Sequence, residues 1–245
     1  MKQPDTSDQT EPVTQTPDSQ SQKSEHPDYV TMTGGLRGTF AVLMTWNAEG
    51  GYYEPRQTGF LTGDAARKEA ADPADPGAVT GVIDRIAAEV GPPGVLVNTV
   101  GTFRLGDALA TTPETLTLML DVNLGPALWL SQAVAPHMRQ RGSGAIVHVT
   151  ARPGLEPASG MAAYSVSKAA LVHLTRTLDL ELRPYGIRVN AVAPQLIDTA
   201  SNRASFPAEL IAHAVAPEAI AEVIAFLVSE AAAPVSGAIL PAYGA

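Results

Sequence analysis

Short apolar runs that alternate with long helix-period stretches constrain this chain more than any other feature. The runs fall at 94–98, 145–150, 186–192 and 238–240, and the helical stretches at about 77–90, 113–139, 160–183 and 216–229. Thr112-Pro113-Glu114 and Ala216-Pro217-Glu218 place a proline and an acid in a first turn, which marks two of the helix starts. Strands and helices in this alternation predict an α/β fold, a doubly wound parallel sheet in three layers with helices on both faces. Ligands of such sheets sit beyond the carboxyl ends of the strands, so chemistry is sought there.

Residues 1–29 differ in kind. Met1, Val13 and Tyr29 are the apolar residues there, and six acids stand against Lys2 and Lys23. Such a segment buries too little apolar surface to offset its ordering entropy, so a disordered polar tail is expected, followed by one domain over 30–245. A docking role for the tail is the alternative. The 245 residues are 45% apolar, enough for a sizeable core.

A net charge of -9 leaves nothing to neutralise a row of phosphates, which excludes a nucleic-acid partner. Cysteine is absent, so neither disulfides nor thiolate chemistry enter. No two of the five histidines stand at metal-ligand spacing, and no metal is expected. No long apolar run and no basic-then-apolar leader occur, so the sequence reads as soluble and cytoplasmic, without a membrane partner.

Tyr164 and Lys168 carry the strongest chemical signal. Four residues apart on a helix, they share one face. A free phenol titrates near pH 10, so work as a base near neutrality needs a neighbouring cation. Lowering a phenol by about three units takes roughly 4 kcal/mol, which a partly buried ammonium and nearby dipoles supply.

The stretch from Gly160 through Tyr164-Ser-Val-Ser-Lys168, followed by Leu182-Arg-Pro-Tyr-Gly186-Ile-Arg-Val-Asn-Ala-Val-Ala-Pro194, resembles the short-chain dehydrogenase/reductase family. The resemblance runs from about Thr31 to the C-terminus and implies a Rossmann-like sheet and an NAD(P)-dependent interconversion of a small-molecule carbonyl and alcohol. It implies Tyr164 as general acid/base, Lys168 as the group that lowers its pKa and holds the nicotinamide ribose, and Asn123 as support for a proton-relay water. For the cofactor it implies Asn98 at the central sheet, Asp72 near the adenine, and Ile197 and Thr199 beside the carboxamide and phosphates. It also implies a homo-oligomer, dimer or tetramer, through helices 113–139 and 160–183, or a hetero-oligomer with an active relative.

Met32-Thr33-Gly34-Gly35-Leu36-Arg37-Gly38-Thr39-Phe40 resembles the family's phosphate-binding turn, which implies cofactor contacts from Gly34, Arg37 and Gly38. Phe40 stands where the last glycine belongs, and Ala48-Glu49-Gly50-Gly51 where the first helix ends. Overpacking by such a ring commonly costs about 1–3 kcal/mol unless its surroundings adapt.

The family's catalytic serine lies thirteen residues before the tyrosine, and that position is Ala151. Thr150 and Ser159 are nearby hydroxyls, with Thr150 facing away from Ala151 along the strand. Asn98-Thr99-Val100-Gly101 and Pro194-Gln195 replace Asn-Asn-Ala-Gly and Pro-Gly. The second-strand region is abbreviated: residues 59–64 read as a second strand with 65–71 as a shortened helix, or residues 59–62 as a third strand with the preceding helix deleted, and Asp64 is either on a ribose hydroxyl or a plain loop acid.

His148 on a strand, Arg152 and Glu156 in a loop, and Trp46 and Trp129 on helices read first as structural residues. The lid segment 196–216 carries Asn202, Arg203 and Phe206. Two other functions fit the departures. One is acid/base chemistry by Tyr164 and Lys168 without nicotinamide, such as dehydration, isomerisation or cyclisation; the other is a non-catalytic subunit.

Overall fold

The computed structural model describes residues 40–43, 47–48, 52–53, 56–62, 65–89 and 91–244. Strands β1 (Phe40–Leu43), β2 (Asn47–Ala48), β3 (Tyr52–Tyr53), β4 (Arg56–Thr62) and β5 (Ala65–Ala71) come first, followed by helix α1 (Pro76–Glu89) and strand β6 (Val95–Asn98). Then come α2 (Pro113–Asn123), α3 (Gly125–Arg141), β7 (Gly144–Val149), α4 (Ala162–Leu182) and β8 (Ile187–Pro194). Short helices α5 (Ala200–Ser205) and α6 (Ala208–Ile211), helix α7 (Pro217–Val228) and strand β9 (Ile239–Ala242) complete the chain.

One sheet runs β5-β4-β1-β6-β7-β8-β9. Strands β1, β6, β7, β8 and β9 are parallel, so their carboxyl ends line one edge. Alternate side chains of the strands feed two cores. Leu96, Ile146 and Val189 pack against Ile83 of α1, Leu130 and Val134 of α3 and Leu178 of α4. Val95, Val97, Val147 and Val192 pack against Ile220, Ile224 and Leu227 of α7 on the opposite face. The period-2 pattern of the strands thus builds a three-layer, Rossmann-like α/β fold.

Helix starts follow the local chemistry. Asp75 Oδ1 accepts from the backbone N–H groups of Gly77 and Ala78 at the head of α1. Thr112 caps α2, accepting from Thr115 N at 3.2 Å, with Pro113 in the first turn.

The single helix expected over 113–139 is two helices, α2 and α3, meeting at Leu124. Pro126 lacks the N–H that would bond four residues back and disfavours helical backbone before it. The break leaves Asn123 as the last residue of α2, fully buried.

The N-terminal third departs further from expectation. Residues 65–71, expected as a short helix, form β5, and β4 runs antiparallel to both β5 and β1. Seven residues are too few to hold a helix unaided, whereas the β4–β5 ladder pairs all of them from Arg56↔Ala71 to Thr62↔Ala65. Near 48–51, expected to end a first helix, β2 pairs antiparallel with β3 instead. Phe40 opens β1 opposite Val95, so it lies in a strand rather than in a turn entering a helix. Gly34, Arg37 and Gly38 lie outside the described residues, as do the 1–29 tail, Trp46 and Asp64.

Candidate active site

Helix α4 begins beyond the carboxyl end of β7, which puts Tyr164 in its first turn and Lys168 one turn on. Gly160, with φ of 72°, lets the chain swing into the helix, and its carbonyl accepts from Gly106 N at 2.7 Å. Lys168 is buried, and its Nζ donates to the Val149 carbonyl at 3.1 Å while lying 6.0 Å from the centre of the Tyr164 ring. Burial alone brings the Lys168 ammonium down to about 8. Burial pushes the Tyr164 phenol above its ordinary value. Near neutral pH the pair is therefore a protonated phenol beside an ammonium.

Asn123 holds this turn of α4 from beneath. Its Nδ2 donates to Ser167 Oγ at 3.0 Å, its Oδ1 accepts from Thr102 N at 3.0 Å, and Ser167 Oγ donates to the Tyr164 carbonyl at 2.7 Å. Gly101 sits over the same groups. A Cβ there would come within 2.8 Å of Asn123 Oδ1 and 2.9 Å of Lys168 Nζ, so only glycine leaves this cradle open. A Cβ on Gly154, in the turn Arg152–Gly154, would meet the Lys168 carbonyl carbon at 2.8 Å, so that turn lies directly on α4.

Ala151 is buried in extended backbone just before that turn and offers no polar side-chain atom. The Thr150 hydroxyl donates to the Lys168 carbonyl at 3.0 Å. Ser159 is exposed. Arg152 crosses the sheet edge: it donates to Glu156 Oε2 at 2.8 Å and Gln195 Oε1 at 3.0 Å, and lies 4.8 Å from the Tyr243 ring centre. The Tyr243 hydroxyl donates to the other oxygen of Glu156. Hydrogen bonding from Arg152 lowers the Glu156 carboxyl, and Tyr243 is raised by partial desolvation and by that carboxylate. Residues at the ends of β7, β8 and β9 are joined by this exposed network.

The other expected positions are placed as follows. Asn98 is buried at the end of β6, where Oδ1 accepts from Val100 N and Nδ2 meets His148 Nδ1 at 3.5 Å. His148, wholly buried between Asn98 and Ser131, is brought down to about 3 by desolvation and then by the Lys168 charge, so it is a neutral ring. Asp72 is exposed and shapes the turn before α1 by accepting from Ala74 N. Ile197 bridges to Val215, and Thr199 caps α5 by accepting from Asn202 N at 3.2 Å. Ile197 and Thr199 follow the carboxyl end of β8, and Asp72 follows that of β5, which its two antiparallel pairings leave parallel to β1.

Two features escaped sequence reasoning. Ser167 ties Asn123 to Tyr164, and its place between the two motif residues was the available signal. Phe103, two residues past Gly101, stands edge-on to Tyr164 and stacked on Phe206. Nothing in a single isolated phenylalanine announced that contact. Among the described residues no His/Cys/Asp/Glu group could hold a metal, and no helix is long and apolar enough to cross a membrane.

The residues present fit the nicotinamide end of a dinucleotide: a cradle kept open by Gly101, bounded by the Asn123 amide and the Lys168 amine, beside a phenol. A parallel sheet with this tyrosine and lysine at its carboxyl edge defines a Rossmann-like dehydrogenase or reductase scaffold. Comparison with known proteins agrees. A family model described as enoyl-(acyl carrier protein) reductase matches residues 61–244. The 4-formylbenzenesulfonate dehydrogenase TsaC1/TsaC2 of Comamonas testosteroni is 34% identical over 177 residues, covering 66% of this chain and 70% of that one. Dehydrogenase/reductase SDR family member 4 of Oryctolagus cuniculus is 36% identical over 142 residues, covering 54% of this chain and 55% of that one. The chain thus spans little more than half the length of this second relative. A gluconate 5-dehydrogenase from Burkholderia cenocepacia J2315, solved with NADP and tartrate, superposes with a TM-score of 0.66 at 28% identity, over 71% of this chain and 72% of that one. The chain belongs to the short-chain dehydrogenase/reductase family.

Proposed function

We propose that this chain interconverts a small-molecule carbonyl and alcohol with NAD(P), using the Tyr164 phenol as proton donor and no hydroxyl at position 151. The observation that carries the reading is the pair on α4: a phenol kept protonated by burial, one turn from a buried ammonium that lines the Gly101 cradle. The NADP held by the gluconate 5-dehydrogenase supports the choice of cofactor.

When bound, a reduced nicotinamide would supply the hydride that the carbonyl carbon takes up. Tyr164 gives its proton to the carbonyl oxygen, which completes the alcohol and leaves a phenolate. The Lys168 ammonium lies near enough to favour that phenolate electrostatically, and its bond to the Val149 carbonyl keeps the amine in place. Asn123 fixes the Tyr164 turn through Ser167. Of the described residues, Lys168 is assigned to the nicotinamide ribose, Asn98 to the cofactor edge of the central sheet, Ile197 and Thr199 to the carboxamide and the phosphates, and Asp72 to the adenine.

One observation favours a second reading, acid/base chemistry without nicotinamide. Among the described residues β1 is followed by a ribbon and an antiparallel meander rather than by a helix N-terminus, the element that usually receives the diphosphate. Titration with NADH and NADPH, followed by their fluorescence, separates the two readings. Saturable binding of either cofactor, with turnover lost in Tyr164→Phe, supports hydride transfer. No binding at millimolar cofactor removes it.

A further inference from the structure

Three aromatic rings from separate segments meet at the candidate phenol. Phe103, in the loop after β6, stands edge-on to Tyr164 with centroids 6.3 Å apart and planes at 68°. Phe206, directly after α5, stacks on Phe103 at 5.3 Å and 25°. All three residues are only partly buried, so each keeps some surface toward solvent.

Two polar side chains of the site are already engaged. The Thr150 hydroxyl donates to the Lys168 carbonyl, and the Asn123 amide bonds Thr102 and Ser167. Ala151 adds only a methyl group. The Tyr164 ring therefore stands in a wall made largely of apolar ring surface. A ligand resting there gains contact area without new polar partners, and a rigid ring does so without freezing rotors as an open chain must.

We propose that Phe103 and Phe206 select a substrate whose carbonyl or alcohol is borne on, or next to, a compact aryl or alicyclic ring. For turnover this rests on the oxidoreductase reading above; for binding it does not. The names of the relatives include both a formyl-substituted ring and an open-chain sugar acid, so the choice comes from the wall itself.

The test measures binding and turnover separately on the full chain. Benzyl alcohol, cyclohexanol and n-hexanol are titrated by ligand-observed NMR. The ring alcohols are expected to bind about tenfold more tightly than n-hexanol, a difference of roughly 1.4 kcal/mol. Phe206→Ala and Phe103→Ala erase that preference, and Phe206→Tyr restores it, with circular dichroism confirming that each variant folds. Equal binding of n-hexanol, or a preference untouched by Phe206→Ala, overturns the proposal. Benzaldehyde, cyclohexanone and hexanal are then offered with NADH and with NADPH. Ring-selective binding without turnover of any of them upholds the wall and counts against the oxidoreductase reading. Turnover of hexanal as efficient as that of the ring compounds does the reverse.

Discussion

Asn123 Nδ2 and Ser167 Oγ meet at 3.0 Å, and this contact joins the end of α2 to the turn of α4 that bears Tyr164 and Lys168. The same carboxamide accepts from Thr102 N, so the loop after β6 is held in register with both helices. One fully buried side chain thereby positions three segments.

Asn123→Ala removes one bond from the part-buried Thr102 N–H and one from the buried Ser167 Oγ, which still donates to the Tyr164 carbonyl. A typical hydrogen bond contributes about 0.5–1.5 kcal/mol, so loss of the two is expected to cost about 1–3 kcal/mol in urea unfolding. Turnover should fall by more than the unfolded fraction explains, because the Tyr164 turn is no longer held from beneath. A variant as stable as the parent would show that the contact does not tie the segments together.

Lys168 links the site to stability through pH. Its folded pKa, about 8, lies below the ordinary 10.5 because burial penalises the ammonium. Between those values the unfolded chain binds a proton that the folded chain has released, so stability rises with pH. The parent is expected to gain up to about 3 kcal/mol relative to Lys168→Met between about pH 8 and pH 10.5, measured by denaturant unfolding. A difference that stays flat or shrinks across this range would falsify a buried, easily deprotonated amine.

The parallel half of the molecule was legible because its strands and helices have different periods. Residues 145–150 and 186–192 read as buried strands, and β7 and β8 lie there within two residues at each end. Tyr164 and Lys168 were legible because helical spacing alone puts them on one face. The break at Leu124 is written in Gly125-Pro126, yet the apolar period running across it masked the signal. Residues 65–71 misled because Ala, Arg, Lys and Glu favour helix locally, whereas pairing along β4 decided the outcome. The Phe103–Phe206 stack joins residues distant in sequence, and no local pattern encodes such a meeting.

His148 predicts acid sensitivity. Its folded pKa, about 3, lies below the ordinary 6.5, first from desolvation and then from the Lys168 charge; Asn98 and Ser131 are its neutral neighbours. Below about pH 6.5 the unfolded chain takes up a proton that the folded chain refuses, so stability is lost as pH falls toward 3. By pH 5 the loss is about 2 kcal/mol. His148→Asn removes the titrating ring, and its unfolding free energy should be flatter by that amount between about pH 6.5 and pH 5. Parallel curves for the two proteins would assign the acid loss to other groups.

Ala151 supplies the sharpest test of how the site holds a reacting oxygen. The residue is 5% exposed, in extended backbone that any side chain adopts, at the carboxyl edge of β7. Ala151→Ser adds one hydroxyl without demanding a new conformation. Burying that hydroxyl unpaired costs about 1 kcal/mol or more, so a slightly lower Tm is expected without substrate. If the substrate oxygen lies beside Tyr164, the added donor stabilises the negative charge that grows there, and loss of a comparable donor elsewhere costs about 10²–10³ in rate. Ala151→Ser is therefore expected to raise kcat by at least about tenfold with KM little changed, and Ala151→Val, which adds bulk without a donor, to give no gain. An unchanged kcat in a folded Ala151→Ser protein would place the reacting oxygen out of reach of β7, with the phenol then acting from the Phe103 side of the wall.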